Sequence, residues 1–294
     1  MTDSTVLGVD IGGSHITAAF VDLESRTLLE RTTQRAKIKS DDTCQNIISA
    51  WSALIQETAQ AQQKEITKIG IALPGPFDYE NGISYIRGLQ KYESLYGKNV
   101  KTLLARELNI PEKNIRLKND AGCFLQGELF AGNTPEINRC IGITLGTGIG
   151  TATAINGFAD DSGLWKAPLK DSIAEDYLST RWFVKRYEQY AGRQVRDVKQ
   201  LCELYSIDAS VQVVFSEFAD NLTEFLIYFI RKENAELVIV GGNITHASAF
   251  FLPQVISSLA KESIHTPIKI STLGEEAVIL GSASLWHKKL LLAK

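Results

Sequence analysis

A carboxylate, two glycines and a hydroxyl stand between two apolar runs near the start of the sequence, in VLGVDIGGSHITAAFVD (residues 6–22). Asp10 would stand at the end of a buried strand, and Gly12 and Gly13, which have no Cβ, would let the backbone approach a ligand closely. Ser14 adds a hydroxyl, and exposed backbone N–H groups in such turns can bind an anion. Taken alone, the stretch is equally consistent with a tight hairpin turn in which Asp10 bonds its own backbone.

A second glycine-rich turn between two strand-like runs favours the anion-binding interpretation. In TLGTGIGT the turn contains Gly146, Thr147 and Gly148. The spacing is not that of a Rossmann dinucleotide site, because a strand follows instead of a helix, and the lysine of a Walker A loop is missing. Two such hairpins, one carrying a carboxylate, would suit a nucleotide polyphosphate with Mg²⁺, which keeps several waters and takes one or two carboxylates. Asp10 is therefore the predicted Mg²⁺ residue, acting through water.

The elements that must position these turns repeat along the chain. Each glycine-turned hairpin, one near residue 6 and one near residue 140, is followed by alternating helical and strand-like patterns. This repeat predicts two related α/β domains facing a cleft, residues 1–118 and residues 119–294. The last helix, about 276–294, is expected to pack back onto the first domain.

Composition narrows the classes of function. The chain has 294 residues, 44% of them apolar, and a net charge of −3, which is typical of a soluble globular protein. No basic stripe indicates nucleic-acid binding, and no apolar run approaches the roughly 20 residues that span a bilayer. The first ten residues, MTDSTVLGVD, lack the pattern of a signal peptide. We therefore expect a cytoplasmic protein without nucleic-acid or membrane partners.

Five segments, in the right order, resemble the ROK sugar kinases, a family within the sugar kinase, actin and heat-shock ATPase fold. DIGGSH is similar to the first phosphate motif, LKNDA to the catalytic segment, GITLGTGIG to the second phosphate motif, VIVGGNI to the adenosine segment and GEEAVILGSA to the final connecting helix. The resemblance covers nearly the whole chain. It implies two ribonuclease H-like (actin-like ATPase) α/β domains around a cleft and a glucokinase-like enzyme that phosphorylates a hexose hydroxyl with ATP and Mg²⁺.

The resemblance also assigns roles to individual residues. Asp120 would be the catalytic base, since phosphoryl transfer needs a carboxylate to receive the proton of the acceptor hydroxyl; its structural alternative is a helix N-cap. Asn119 would hydrogen-bond the sugar, and Gly75, in ALPGPFD, would be the close-approach residue of the sugar pocket. The adenosine segment would supply three further ATP-binding residues: Gly241, Gly242 and Asn243.

The sequence departs from the family pattern where sugar and zinc contacts would be. Gly88 stands in place of an asparagine, Asp161 in place of the first sugar-binding glutamate and Leu164 in place of a histidine. Glu175, in AEDYLS, keeps the second sugar-binding glutamate; its alternative is a solvated charge in the first turn of a helix. Residues 158–182 contain no histidine or cysteine, so the N or S ligands of a structural zinc site are missing and no zinc is expected.

Several alternatives stay open at this point. Glucose is the default sugar, but N-acetylmannosamine, N-acetylglucosamine and fructose remain open. A function of another class is that of a non-catalytic sugar-sensing regulator, because the family includes repressors. Those repressors carry an N-terminal helix-turn-helix region, for which a phosphate-loop strand that begins at about Val6 leaves no room. The expected partners are a small-molecule sugar and ATP, and a homodimer is left open.

Overall fold

A computed structural model describes residues 4–288. The chain divides into two compact units. The first unit contains the residues up to Thr134 together with those from Glu275 onward, and the second is Pro135–Gly274. Among residues 4–288, no helix is both long and apolar enough to cross a bilayer.

The helices and strands follow the chain in this order. The first part forms the strands β1 (Thr5–Ile11), β2 (His15–Asp22), β3 (Thr27–Leu28), β4 (Gln34–Lys37), β5 (Ile69–Leu73), β6 (Phe77–Asp78), β7 (Ile83–Ser84) and β8 (Ile115–Asn119) and the helices α1 (Cys44–Ala61), α2 (Val100–Leu108) and α3 (Asp120–Phe130). The second unit forms the strands β9 (Arg139–Leu145), β10 (Ile149–Ile155), β11 (Phe158–Asp161), β12 (Pro168–Leu169), β13 (Ser172–Ile173), β14 (Leu237–Gly241) and β15 (Ile268–Ile270) and the helices α4 (Ala174–Tyr177), α5 (Thr180–Ala191), α6 (Val198–Leu204), α7 (Ala209–Glu233) and α8 (Leu252–Lys261). Helix α9 (Glu276–Ser284) belongs to the first unit again.

The sheet of the first unit has the strand order β3-β2-β1-β5-β8, and β4 pairs with β2. Strands β1 and β2 form the antiparallel hairpin predicted from the sequence, while β5 and β8 continue the sheet in parallel to β1. Because parallel strands end at the same edge of a sheet, the segments that follow β1, β5 and β8 lie along one edge. Those segments carry the first glycine turn, Gly75 and Asp120.

The sheet of the second unit repeats this arrangement with the strand order β11-β10-β9-β14-β15. Strands β9 and β10 form an antiparallel hairpin, and β14 and β15 run parallel to β9. The last residue of β14, Gly241, pairs with Thr144 near the end of β9. The second glycine turn and the adenosine segment therefore follow two neighbouring strand ends. The repeated α/β unit predicted from the two hairpins is present.

Helix α1 illustrates how local sequence fixes an element. The side chain of Thr43 accepts a hydrogen bond from the Asn46 backbone N–H, which satisfies one of the unpaired donors at the start of the helix. Ile47, Trp51 and Ile55 follow at intervals of four residues and are buried in the core of the first unit, as an amphipathic helix requires.

Helices α3 and α9 pack with their backbones in contact, which explains where the two units divide. A Cβ atom on Gly127 would lie 1.8 Å from the Ala277 carbonyl oxygen, and one on Gly281 would lie 1.8 Å from that of Cys123. Only glycine permits such close approach. The sequence placed the boundary near residue 118, before α3, but this packing makes α3 part of the first unit and moves the division to Thr134.

Helix α9 also packs on the first sheet. A Cβ atom on Gly8 of β1 would lie 2.5 Å from the Ile279 carbonyl oxygen, and one on Gly70 of β5 would lie 1.9 Å from that of Ser282. The helix was expected over about 276–294; it ends at Ser284, and the part of that expectation beyond residue 288 lies outside the described residues.

Candidate active site

The first glycine turn connects β1 to β2 and follows directly after Asp10. The Gly12 N–H donates to the His15 carbonyl oxygen over 2.9 Å, which closes the turn, and the Tyr92 hydroxyl donates to the Gly12 carbonyl oxygen. Gly13 and Ser14 are exposed, while Asp10 is partly buried. Ser14 Oγ lies 2.9 Å from Nδ1 of His15. The turn therefore presents exposed backbone beside a carboxylate, which is the arrangement an anion with a bound cation requires.

The start of helix α3 holds Asp120, and Asn119 performs the capping. Asn119 Oδ1 accepts hydrogen bonds from the backbone N–H groups of Ala121 (2.8 Å) and Gly122 (3.1 Å). The structural alternative for Asp120, a helix N-cap, is therefore taken by its neighbour. Asp120 is the first residue of the helix, accepts a hydrogen bond from the Ala121 N–H over 2.9 Å and remains partly exposed. The carboxylate of Asp120 therefore lies at the start of the helix and does not serve as its N-cap.

Gly75 and Tyr79 complete this edge of the first unit. A Cβ atom on Gly75 would lie 3.0 Å from the Tyr79 hydroxyl and 3.8 Å from Nδ2 of Asn119. The Asn119 amide donates to the Tyr79 hydroxyl over 3.2 Å, and that hydroxyl donates to the Leu73 carbonyl oxygen over 3.1 Å. The structure therefore brings Gly75, Asn119 and Asp120, three residues predicted for the sugar site, into one neighbourhood.

The two carboxyl groups of this edge have raised pKa values. Burial is the main cause for Asp10, and repulsion from Asp120 and Glu275 adds to it, so the pKa of Asp10 rises to about 7 despite the opposing charge of Arg35. Burial also raises the pKa of Asp120, against the opposing effects of the Lys91 cation and the Ala121 hydrogen bond. Each negative charge is disfavoured here, so a bound cation would stabilise the ionised carboxylates.

These residues fit a magnesium ion held through water. Within residues 4–288 no cluster of three or more His, Cys, Asp or Glu side chains could enclose a metal. Mg²⁺ does not need such a cluster, because it keeps several waters and uses one or two carboxylates together with phosphate oxygens. A carboxyl group whose ionised form is disfavoured by burial and by a second carboxyl would be stabilised by such an ion.

The second unit carries the other glycine turn and the adenosine segment. The Gly146 N–H donates to the Gly148 carbonyl oxygen over 3.0 Å, and both the N–H and the hydroxyl of Thr180 donate to the Gly146 carbonyl oxygen, over 2.8 Å and 3.0 Å. Gly242 has a φ of 85°, and a Cβ atom on it would lie 2.3 Å from the Leu145 carbonyl oxygen. The adenosine segment therefore lies against the start of the turn. Thr147, Gly242 and Asn243 are exposed.

Glu175 contacts the second glycine turn, and Asp161 is the last residue of β11. A Cβ atom on Gly148 would lie 2.3 Å from Oε2 of Glu175, and Arg181 forms a salt bridge to Oε1 over 2.8 Å. Asp161 is exposed at the end of β11, and its Oδ1 accepts a hydrogen bond from the Gly163 N–H over 2.9 Å. This hydrogen bond lies within the turn that follows β11.

Comparison with known proteins identifies the family. Residues 6–160 and 171–289 match the model of the ROK family. The chain belongs to the ROK family. It is 24% identical to a glucokinase from Thermotoga maritima, over 97% of this chain and 98% of that protein, and 24% identical to an N-acetyl-D-glucosamine kinase from Mannheimia succiniciproducens, over 96% and 99%.

A solved ROK structure has the same fold. The ROK family glucokinase from Streptomyces griseus, in complex with glucose and AMPPNP, superimposes with a TM-score of 0.77 over 96% of this chain and 98% of that chain, at 21% identity. This confirms the fold class expected from the sequence, an α/β protein with two actin-like ATPase domains.

The ROK match is interrupted at residues 161–170, the segment in which the sequence departs from the family pattern. Asp161 and Leu164 both lie there. Leu164 begins a short 3-10 helix (Leu164–Lys166), its N–H donates to the Thr151 hydroxyl over 2.9 Å, and its side chain packs against the hydrophobic core of the second unit. An apolar contact therefore stands where the ROK resemblance suggests a histidine.

Five residues that act on predicted site residues of their own unit were not found by sequence reasoning: Lys91, Tyr92, Arg35 and Glu275 in the first unit, and Arg181 in the second. Arg35 forms an ion pair with Glu275, and both charges influence Asp10. Lys91 acts on Asp120, and Arg181 pairs with Glu175. One feature of the sequence pointed to the segment that carries Lys91, GLQKYESL: it begins with Gly88, where the ROK pattern is broken.

Proposed function

We propose that this ROK protein transfers the γ-phosphoryl group of ATP to a hydroxyl group of a hexose, with glucose as the first candidate. The observation that carries the proposal is the position of Asp120. It begins helix α3 next to a capping asparagine, so that its carboxylate is available for chemistry, and its charge interacts with that of Asp10 beside the first glycine turn. A base for an acceptor hydroxyl and a turn for a phosphate thus occupy one edge of one sheet.

In the proposed reaction Asp120 accepts the proton of the sugar hydroxyl. The hydroxyl oxygen forms a bond to the γ-phosphorus as the bond from that phosphorus to its bridging oxygen breaks, and ADP leaves with the electron pair. Asp120 must be ionised to accept the proton. Burial opposes ionisation and the neighbouring Lys91 cation favours it, and the net effect raises the pKa of Asp120 above its ordinary value. A general base is most effective when its pKa lies near the working pH.

The remaining predicted residues divide between donor and acceptor. We assign the exposed backbone at Gly12, Gly13 and Ser14 to the phosphate groups and Asp10 to the Mg²⁺ ion through water. The ion would supply charge neutralisation for the phosphates. In the second unit the donor residues are the glycine turn and the adenosine segment: Gly146, Thr147, Gly148, Gly241, Gly242 and Asn243.

The sugar is assigned to Gly75, Asn119 and Glu175, with Asp120 as the base. Asn119 Oδ1 is occupied by two backbone donors, so its contribution to a sugar would be an N–H of its amide. Glu175 retains a carboxylate beside Gly148 and can accept hydrogen bonds from sugar hydroxyls. Asp161 is not retained in this set, because it is exposed and accepts from Gly163.

The test is a panel of glucose, N-acetylglucosamine, N-acetylmannosamine and fructose with ATP and Mg²⁺, read by coupled detection of ADP. One sugar is expected to support turnover, and Asp120→Asn is expected to lower kcat by at least about 10²- to 10⁴-fold, the usual contribution of a general base. The matched control is Asp41→Asn, an exposed aspartate outside the site, which should leave kcat unchanged.

Two results would count against the proposal. Retention of most of the wild-type kcat by Asp120→Asn would show that Asp120 is not the base. If the protein binds a sugar of the panel but releases ADP with none of them, the result would favour the other class of function, a non-catalytic sugar-sensing regulator.

A further inference from the structure

The side chain of Lys91 reaches the candidate site from a segment to which no role has been given. We propose that its ammonium group contacts the γ-phosphoryl group during transfer, which makes Lys91 a further catalytic residue. The inference rests on the function proposed above, and it concerns the donor side of that reaction. It is argued from the position of the lysine relative to the first glycine turn and to Asp120.

The stem of Lys91 lies against the phosphate turn. A Cβ atom on Gly13 would lie 3.9 Å from Cδ of Lys91, which is ordinary van der Waals contact. Gly13 is exposed and Lys91 is partly buried, so the stem of the lysine lies beside an exposed part of the turn. An ammonium group one bond beyond Cε is then within reach of an anion bound by the turn.

The neighbouring residue fixes this segment to the same turn. Tyr92 is buried, its backbone is in the left-handed region with a φ of 56°, and its N–H donates to the Ser40 carbonyl oxygen over 2.6 Å. Its hydroxyl donates to the Gly12 carbonyl oxygen, and its ring packs edge-on against Trp51 with ring centroids 5.3 Å apart. Lys91 is therefore held at the turn by a buried anchor and does not sit on a free surface loop.

The charge of Lys91 also reaches the proposed base. Its cation favours the ionised form of Asp120 and is the largest of the effects that oppose burial there. Within residues 4–288 Lys91 has no salt bridge. The stem of Lys91 thus contacts the turn suited to the donor phosphate, its charge acts on the base for the acceptor, and no salt bridge among the described residues neutralises it.

A phosphoryl group passes through this region as it moves from ADP to the sugar. During transfer its negative charge is spread over three equatorial oxygens, and catalysis consists mainly of neutralising that charge and positioning the reactants. Lysine binds such oxygens as a point charge. The proton of the sugar hydroxyl goes to Asp120, so Lys91 takes no part in the proton transfer.

Two measurements test the proposal, and the first needs no sugar. ADP with Mg²⁺ is titrated calorimetrically into the wild-type protein and into Lys91→Gln, with and without aluminium fluoride, which mimics the transferring phosphoryl group. We expect the wild-type protein to bind ADP more tightly with aluminium fluoride than without it. In Lys91→Gln the increase in ADP affinity caused by aluminium fluoride should be smaller by about 10- to 150-fold, the value of one charge-assisted hydrogen bond. The affinity of this variant for ADP alone should be unchanged.

The second measurement is steady-state kinetics with the best sugar. Lys91→Gln should lower kcat by about 100-fold, as loss of one transition-state donor does, with unchanged sugar affinity, and Lys91→Arg should restore part of the rate. Lys98→Gln, which changes an exposed lysine of the same segment, is the matched control.

The outcomes separate this proposal from the one on which it rests. An absent gain from aluminium fluoride in the wild-type protein, or an equal gain in Lys91→Gln, would overturn the role of Lys91 whatever the sugar panel shows. A variant whose kcat is restored at high pH would also overturn it, because Lys91 would then only keep Asp120 ionised. If no sugar of the panel supports turnover but the increase in ADP affinity with aluminium fluoride depends on Lys91, the proposed sugar kinase activity would be refuted. The contact of Lys91 with the phosphoryl group would still be supported.

Discussion

Gly148 and Glu175 are in direct contact: a Cβ atom on the glycine would lie 2.3 Å from Oε2 and 3.0 Å from Cδ of the glutamate. The contact joins the second glycine turn to the carboxylate proposed for sugar binding. A residue with any side chain at position 148 would have to displace the end of Glu175, since the opposing atoms belong to a flexible side chain and not to the backbone.

Gly148→Ala is therefore expected to weaken sugar binding while the protein stays folded. Displacing the carboxylate should reduce sugar affinity by about 10-fold or more, because a hydrogen bond to a charged group is worth about 1.5–3 kcal/mol. Calorimetric titration with the best sugar, without nucleotide, is the measurement. Gly146→Ala is the control, because a Cβ atom there meets nothing within 4 Å. Equal sugar affinity in the two variants would contradict the role of this contact.

Glu175 and Asp161 are expected to differ in their effect on sugar affinity. Glu175→Gln should weaken binding by about 10- to 150-fold. Asp161→Asn should leave it unchanged, because that carboxylate is exposed and bonds the Gly163 N–H. The same calorimetric titration checks both variants. Unchanged affinity in Glu175→Gln would remove Glu175 from the sugar site, and weakened affinity in Asp161→Asn would restore the assignment made from the sequence.

Asp10 should make the ligand-free protein less stable as the pH rises. The pKa of Asp10 is about 7 in the folded chain, against 3.8 for an unperturbed aspartate, so between these values the folded state holds a proton that the unfolded state has lost. The associated stability is present below about pH 4 and is lost as the pH rises through about 7. At 1.36 kcal/mol for each pKa unit, its size is about 4 kcal/mol at most.

Denaturant unfolding at pH 5 and pH 8, with nucleotide and Mg²⁺ removed, tests this dependence. Asp10→Asn should lose much less stability between the two pH values than the wild-type protein loses. The raised pKa of Asp120 acts in the same direction, so some dependence should remain. An equal loss in wild type and Asp10→Asn would contradict the burial of an ionisable Asp10.

Gly127→Ala should destabilise the first unit. Its Cβ atom would overlap the Ala277 carbonyl oxygen of α9, a backbone atom that cannot turn aside. Overpacking of this kind costs typically about 1–3 kcal/mol, although alanine by itself favours the helix. The free energy of unfolding measured in urea checks the prediction. A variant as stable as wild type would show that α3 and α9 can separate without cost.

Zinc removal should not unfold the protein. Residues 158–182 contain neither histidine nor cysteine, and a structural zinc ion needs four such ligands as a rule. Elemental analysis of the purified protein should find no stoichiometric zinc, and a chelator should leave the thermal midpoint unchanged. About one zinc ion for each chain would contradict this.

The parts of the fold that local chemistry controls could be predicted from the sequence. The glycine turns after Asp10 and after Leu145 predicted two hairpins, because only a hairpin joins strands over so few residues. The Thr43 cap of helix α1 and the four-residue spacing of Ile47, Trp51 and Ile55 are local features of the same kind. Repetition of the hairpin then predicted the α/β class, and five ordered motifs placed the chain in the ROK family.

Features that depend on residues far apart in the chain could not be predicted in this way. No local pattern shows that Gly127 and Gly281 bring α3 and α9 together, so the sequence placed the domain boundary one helix too early. No spacing rule relates Lys91 to Asp120, because they come from different segments that meet at one edge of the sheet.

The outcome of competition between neighbouring groups could also not be predicted from the sequence. Asn119 and Asp120 are both good N-caps, and the backbone geometry at the end of β8 gave the cap to Asn119 and left the carboxylate of Asp120 for chemistry. The sequence predicted sugar contacts for both Asp161 and Glu175, and only the folded chain shows that their exposure and hydrogen-bond partners differ. Local preferences are set by each residue and its near neighbours, whereas such choices depend on the free energies of groups that only the folded chain brings into contact.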